Sequence, residues 1–372
     1  MKFNRYALSD LATIKYGKNQ KKVLSESGNI PIYGTGGLMG YATTALYDKP
    51  SVLIGRKGTI GKVKYVEHPF WTVDTLFYTI VNTDIVLPKY LYYVMSLIDL
   101  NNYNEGTTIP SLRTETLNRL EFDIPSLVEQ ETILSCLNPI DEKIALNNVI
   151  NNNLEQQAQA IFKSWFVDYI PFNGTKPDRW ENISVYELAE YINGAAFKKN
   201  EYADKGLPII KITELKNGIS DATQYCCTEK DVKYYIDDRD ILFSWSGNPD
   251  TSIDTFLWSN GKAILNQHTF RVVSKYNAPA FTFFLLKYLK PRFTHIASNK
   301  QTTGLGHVTV ADLKRLQFCA DGNAIRKFNA ITMPFFDMIF SNYKENQYLS
   351  SLRDTILPQL MSGELDVSDI EI

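Results

Sequence analysis

A chain of 372 residues is long enough for two or three domains with cores of their own, and 44% apolar with 22% charged residues argues against disorder over most of it. The opening MKFNRYALSDLATIKYG has no apolar signal core, and no later stretch reaches the roughly 20 apolar residues that cross a bilayer, so a cytoplasmic protein is expected. The net charge of −2 is unevenly spread: residues 1–126 sum to +3, 127–183 to −4, 184–322 to +2 and 323–372 to −3, which sets acidic spacers between mildly basic segments.

In chain order, ALSDLATIKYGK (7–18) reads as a short amphipathic helix running into a Gly loop. GNIPIYGTGGLMG (28–40) reads as a turn, an apolar strand and a polar Gly-bearing loop, and YDKPSVLIGRKGTIGKVKYV (47–66) as a strand, a small-residue loop and a second strand. Each pattern returns, in SVYELAEYINGAAFKK (184–199), GLPIIKITELKNG (206–218) and IDDRDILFSWSGNPDTSIDTFL (236–257). Order and spacing persist while identities drift, which marks an internal repeat. The match tightens at TTIPSLRTETLNRLEFDIP (107–125) and TTGLGHVTVADLKRLQFCA (302–320), an offset of 195.

Beyond each of these lies a long helical pattern. Ile133, Leu137, Ile140, Ile144, Asn147, Asn151, Leu154, Ala158, Ile161 and Trp165 step by four and three, the a/d seam of a coiled coil. Adding 195 gives Phe328, Thr332, Phe335, Ile339, Asn342, Asn346, Leu349, Arg353, Ile356 and Leu360. Pro139 maps onto Pro334 and the two seam asparagines map onto Asn342 and Asn346. Pro139 is suited to a first helical position, with Asn138 as its cap; Pro334 has no comparable cap, which leaves a kink as the alternative there. Two such helices should pack antiparallel about a pseudo-two-fold axis, with Asn147 and Asn151 facing Asn342 and Asn346 and fixing register. The alternative exposes these amides and moves the seam to Val149 and Ile150.

The fold class expected is therefore α+β: two pseudo-repeated mixed α/β domains separated by two long antiparallel helices that form a coiled coil. The boundaries are 1–126 for the first domain, 127–172 for the central helix, 173–322 for the second domain and 323–372 for the C-terminal helix.

Catalytic motifs fail on inspection. Gly55-Arg56-Lys57-Gly58-Thr59-Ile60-Gly61-Lys62-Val63 imitates a P-loop, but five residues separate its glycines, and Val63 stands where Ser or Thr would hold magnesium. Gly34-Thr35-Gly36-Gly37-Leu38-Met39-Gly40 misses the dinucleotide fingerprint by one residue. Asn248-Pro249-Asp250-Thr251 lacks the second Pro and the aromatic of an amino-methyltransferase turn. His68, His268, His295 and His307 lack metal-ligand spacing, and Cys136, Cys226, Cys227 and Cys319 read as reduced and structural.

The segments IPSLVEQETILSCLNPIDEKI, IFKSWFVDYIPF and LPQLMSGELDV look like signatures of the specificity (S) subunits of type I restriction-modification systems, which the chain resembles along nearly its whole length. The second repeat departs from them, since NAIRKFNAITMPFF replaces the EQ-bearing helix opening. The resemblance implies two target recognition domains, each reading one half of a bipartite, asymmetric stretch of double-stranded DNA. It also implies two methyltransferase M subunits and ATP-dependent restriction R subunits as partners, and no membrane. The chain itself would be non-catalytic and without cofactor or metal, with S-adenosylmethionine, Mg and ATP on the partners. Two rival readings are a catalytic DNA methyltransferase or nuclease, and an assembly scaffold that reads no sequence.

DNA reading needs polar side chains at base edges and cations or backbone N–H groups at phosphates. In the first domain the candidates are Tyr33, Thr35, Gly36, Arg56, Lys57, Thr59, Lys62, Thr107, Thr108 and Arg113. In the second they are Lys211, Thr213, Lys216, Ser244, Ser246, Asn248, Lys300, Gln301, Thr302 and His307. At about 1.5 Å per residue, a helix of 30 to 40 residues exceeds the roughly 34 Å of one DNA turn, so an unread spacer is expected between the halves.

Overall fold

The computed structural model describes residues 1–301 and 304–367. The chain forms two compact units, residues 1–142 with 349–372 and residues 143–348, and the division falls inside both long helices.

In the first unit, strand Asn4–Ala7 pairs antiparallel with Glu121–Ile124 and leads into the short helix Leu8–Leu11. The Asp10 carboxylate accepts from the Ala7 amide at 3.0 Å and satisfies one of the helix's free N–H groups. An antiparallel sheet follows in the order Ala12–Tyr16, Leu76–Val81, Ser51–Gly55, Val63–Val66. Its central strand Ser51–Gly55 is buried at every residue, which is why that segment is a continuous apolar run and not an alternation. A smaller sheet places Ile30–Gly34 between Gly37–Ala42, antiparallel, and Trp71–Thr72, parallel. Helix Pro88–Ser96, with Pro at its start, buries Tyr90, Leu91 and Tyr93 in a core that also holds Ile133, Leu137, Leu357 and Leu360 of the long helices.

The second unit repeats this plan. Strand Glu181–Ser184 pairs with Gln317–Ala320, and Ser184 with Glu187 forms a capping box on helix Val185–Leu188. The main sheet runs Ala189–Asn193, Thr269–Ser274, Ile241–Ser244, Asp254–Leu257, the same order and directions as in the first unit. A parallel pair, Leu207–Ile210 with Ala263–Leu265, answers Ile30–Gly34 with Trp71–Thr72. Two glycines occupy equivalent places: a Cβ on Gly17 would lie 2.0 Å from the Val73 carbonyl oxygen, and one on Gly194 would lie 2.2 Å from that of Asn266.

The long helices are Leu127–Phe166 and Gly322–Ser362, each about 60 Å long at 1.5 Å rise per residue. They run antiparallel within each unit. In the second, Asn147 Nδ2 donates to Asn346 Oδ1 at 2.9 Å and to Glu345 Oε2 at 2.7 Å, and Asn342 Nδ2 donates to Asn151 Oδ1 at 2.7 Å. In the first, Arg353 Nη1 donates to Asp141 Oδ1 at 3.0 Å. The asparagines face one another as their repeat spacing requires. Asn147, Asn151 and Asn342 are buried, while Val149 is 65% exposed, which removes the alternative seam.

Two expectations about these helices are corrected. The first helix begins at Leu127, as the 127–172 boundary has it, but Pro139 does not take a first helical position: Ser126 and Glu129 form the cap, Ser126 Oγ and its amide both bonding Glu129 Oε2 at 2.9 Å, and Pro139 lies in the interior. The second helix likewise starts near Asp321, whose carboxylate accepts from the Ala324 amide at 2.6 Å, with Pro334 inside it. The seam also drifts. Phe162, Phe166 and Phe336 are buried where Ile161, Trp165 and Phe335 were expected, because a 3.6-residue helix rotates off a 3.5-residue repeat and here must cover the aromatic core of its unit.

Candidate nucleic-acid interface

In the first unit three loops converge. Strands Ile30–Gly34 and Gly37–Ala42 are joined by Thr35-Gly36 alone, with Gly34 opposite Gly37 and Gly37 at φ 113°, a backbone region that favours glycine. The loop 56–62 joins Ser51–Gly55 to Val63–Val66, and Gly58 N donates to the Pro110 carbonyl at 2.8 Å while Leu112 N donates to that of Arg56 at 2.9 Å. Thr35 Oγ1 lies 3.8 Å from where a Cβ on Gly58 would sit. Thr35, Gly36, Lys57, Thr59, Thr107, Thr108 and Arg113 therefore belong to one loop cluster, with all but Thr35 exposed.

Not every cation in it is free to meet a ligand. The Arg56 guanidinium lies 5.0 Å above the Tyr16 ring and donates to the Asp74 carbonyl at 2.8 Å, and Arg113 Nε pairs with Glu105 Oε2 at 3.1 Å. Lys57 and Lys62 are exposed and have no ion pair among the described residues. Tyr33 is only 8% exposed, with Lys64 Nζ 3.7 Å from its ring centroid and His68 Nε2 3.4 Å from its hydroxyl. Burial raises the Tyr33 phenol above its ordinary value and lowers the Lys64 ammonium below its own. Tyr33 thus presents no free ring face for a base. Lys64 was not singled out from the sequence, where VKYV reads simply as a second strand, and His68 was weighed there only as a metal ligand.

The second unit builds a corresponding cluster from different parts. Ser246–Gly247 pairs antiparallel with Gly306–His307, and Val308 N donates to the Trp245 carbonyl at 2.8 Å. Helix Ile212–Asn217 reaches the same place, Ile212 Cδ1 lying 3.6 Å from the position of a Cβ on Gly247. Thr213, Lys216, Asn248, Gln301 and His307 are exposed, and Ser246 partly so.

Four expected contacts of this unit are already occupied or inaccessible. Ser244 is fully buried because it ends the central strand of the main sheet. Asn248 Oδ1 accepts from the amides of Asp250 at 3.0 Å and Thr251 at 3.1 Å, capping helix Pro249–Ser252. Lys211 bonds Gln224 Oε1. Lys300 pairs with Asp312, whose side chain is 6% exposed. That carboxylate also accepts from Thr309 and completes a capping box; desolvation raises its pKa, but the bonds from Lys300 and Thr309 outweigh it and hold it below the ordinary value. Thr302 lies outside the described residues.

The catalytic imitations resolve as turns. Both Gly-rich segments connect antiparallel strands, and neither opens a helix as a phosphate-binding loop would. Among the described residues no group of three or more His, Cys, Asp or Glu could hold a metal, and no helix is long and apolar enough to cross a membrane. The four cysteines are free thiols.

The duplicated scaffold has a counterpart among known families. Residues 2–156 and 177–318 both match the type I restriction modification DNA specificity domain, one copy per repeat. The chain belongs to this family. A type I restriction enzyme specificity subunit of Methanocaldococcus jannaschii, MjaIX, is 25% identical over 353 residues, covering 87% of this chain and 80% of the relative. The HindI specificity subunit of Haemophilus influenzae is 22% identical over 390 aligned positions, covering 82% and 84%. In fold, the chain is similar to the type I restriction-modification S subunit from M. genitalium, with a TM-score of 0.52 and 17% identity over 97% of this chain and 96% of that one. The protein is thus a non-catalytic specificity subunit of a type I restriction-modification system.

Proposed function

We propose that this specificity subunit reads a bipartite, asymmetric target in double-stranded DNA, one half per unit, and directs methylation by two M subunits and cleavage by ATP-dependent R subunits. The observation that carries this reading is one sheet topology used twice under dissimilar loop tips: a two-residue hairpin in the first unit and a helix, Ile212–Asn217, in the second. A shared main sheet under different tips suits two readers of different half-words, because specificity resides in the side chains at base edges while the frame supplies register. The partners would carry S-adenosylmethionine, Mg and ATP, and this chain none. The paired long helices would act as the tether that sets an unread spacer between the half-words.

Methylome sequencing of cells that co-express the chain with its methyltransferase subunit tests the proposal. A split, non-palindromic methylated motif is expected. A continuous or palindromic word would overturn it.

A further inference from the structure

The first unit carries a polar cluster that its scaffold does not need. Lys64 Nζ stands 3.7 Å from the Tyr33 ring centroid, and the Tyr33 hydroxyl lies 3.4 Å from His68 Nε2. The His68 Nδ1 is 3.1 Å from the Pro69 carbonyl oxygen, which can only accept, so in the neutral ring Nδ1 carries the proton and Nε2 is the atom that accepts from Tyr33. The ammonium is thereby seated on a ring whose own hydroxyl is tethered. Lys64 keeps solvent access although its ammonium is partly desolvated, and it has no ion pair among the described residues. Glu67, the nearest acid in sequence, acts electrostatically on Tyr65, a residue of the opposite strand face.

The repeat provides an internal control. Lys64 lies opposite Leu53 in the main sheet, and the position matching it in the second unit is Phe256, opposite Leu242. The position matching Tyr33 in the parallel pair is Ile210, and that matching Lys62 is Asp254, held by Lys287 and Lys290. The same sheet forms with an apolar pair in place of the tyrosine and lysine. The cation–ring arrangement is therefore an addition to the frame, and it lies on the strand leading out of the loop cluster, two residues from Lys62 and two from Thr35.

We infer that Lys64 is a DNA phosphate contact of the first unit, held in position by Tyr33, which His68 orients. The inference rests on the proposed DNA-reading function and extends its surface from the loop tips down one strand. A cation seated this way loses less side-chain freedom on binding than a free lysine, and its contact carries no base preference.

The full-length chain, bound to a duplex holding its methylated motif and to a random duplex of equal length, provides the test by salt titration. Lys64→Met should weaken both complexes alike and reduce the slope of log K against log salt by about 0.9, the loss of one phosphate contact. Lys64→Arg and Tyr33→Phe, which keep the charge and the ring, should retain the wild-type slope. Lys205→Met, an exposed lysine outside the cluster, serves as the control for net charge. An unchanged slope in Lys64→Met, or the same loss in Lys64→Arg, would overturn the inference. If the wild-type chain instead bound both duplexes equally, the sequence-reading function would fail while the Lys64 slope still decided the phosphate contact.

Discussion

The two units have the same strand order in their main sheets but are held together by different chemistry. In the second, Phe162 and Phe166 of the first long helix enter a nest of aromatic rings, with Phe162 4.7 Å from Tyr288, 5.6 Å from both Phe318 and Phe328, and 6.3 Å from Phe281. The residues 195 further on, Leu357 and Met361, enter the first unit's largely aliphatic core. A repeated frame can therefore be filled with quite different side chains, provided each core closes on its own helix face. The loops differ in the same manner. Glu105 anchors the loop 105–113 through Arg113 and Thr116 at the surface, whereas the buried Asp312 anchors the corresponding segment of the second unit through Lys300 and Thr309.

The largest expected effect tests whether the cores are separate. Phe162→Ala should destabilise the second unit by about 3–5 kcal/mol, and Leu357→Ala the first by about 2–5 kcal/mol. Hydrogen exchange should show protection lost chiefly in residues 143–348 for Phe162→Ala, and chiefly in residues 1–142 for Leu357→Ala. Equal loss in both units from either variant would mean that the cores fold as one.

Next in size is the difference between the anchors. Asp312→Asn removes the negative charge that holds a cation and strengthens a helix cap while keeping one accepting oxygen, so a loss of about 1.5–3 kcal/mol is expected from the hydrogen bonds to a charged group. Because its folded pKa is depressed, the Asp312 contribution is fully present above the unfolded value of about 3.9 and disappears as pH falls through the folded value. Acid unfolding of the second unit, followed by tryptophan fluorescence, should be shallower for Asp312→Asn than for the wild type. Parallel acid limbs would show that the anchor lies elsewhere.

These particulars show what the sequence could and could not reveal. The paired asparagines were legible because a spacing of 195 and the antiparallel dyad are enough to set Asn147 against Asn346 and Asn151 against Asn342. The helix boundaries at 127 and 323 were legible from the repeat, but the cap was misplaced, because Pro139 is a strong local signal whereas the true cap, Ser126 with Glu129, depends on where the preceding strand ends. At the candidate DNA contacts, Thr35-Gly36 and residues 56–62 were legible as Gly-bearing loops, whereas the two-residue hairpin that carries the first was not. The pairing of Lys300 with Asp312 was not, since a lysine in a polar loop looks available until the chain closes twelve residues later. Lys64 was hidden by strand alternation, which marks the exposed face but says nothing of the ring beneath it.

The seam asparagines allow a smaller test, applied to what the units share and not to what separates them. Asn147 Oδ1 and Asn151 Nδ2 are buried without hydrogen-bond partners among the described residues, and such groups cost about 1–3 kcal/mol each. Replacing Asn147, Asn151, Asn342 and Asn346 together with Leu should raise the melting temperature by several degrees, since apolar side chains fill the seam without unpaired amides. Register should then be less well defined, which cross-linking of cysteines placed at 143 and 345, an ion pair across the helices in the wild type, would detect as additional pairings. A lower melting temperature would show that the amides stabilise the helix pair as well as align it.

The smallest effect on stability accompanies a clear effect on binding. Lys57 and Lys62 are exposed on the first unit's loop without ion pairs among the described residues, so Lys57→Gln and Lys62→Gln should change stability by less than about 0.5 kcal/mol. Each should lower the salt slope of DNA binding by about 0.9 if it meets a phosphate. Lys300→Gln is the matched case in the second unit, and the opposite outcome is expected: a measurable loss of stability with little change in slope, because its charge is already spent on Asp312. The contrast depends on a lysine being unable to serve a buried carboxylate and a phosphate at full strength together. A full loss of slope in Lys300→Gln would mean that DNA draws this lysine away from Asp312, making the second unit's anchor part of its reading surface.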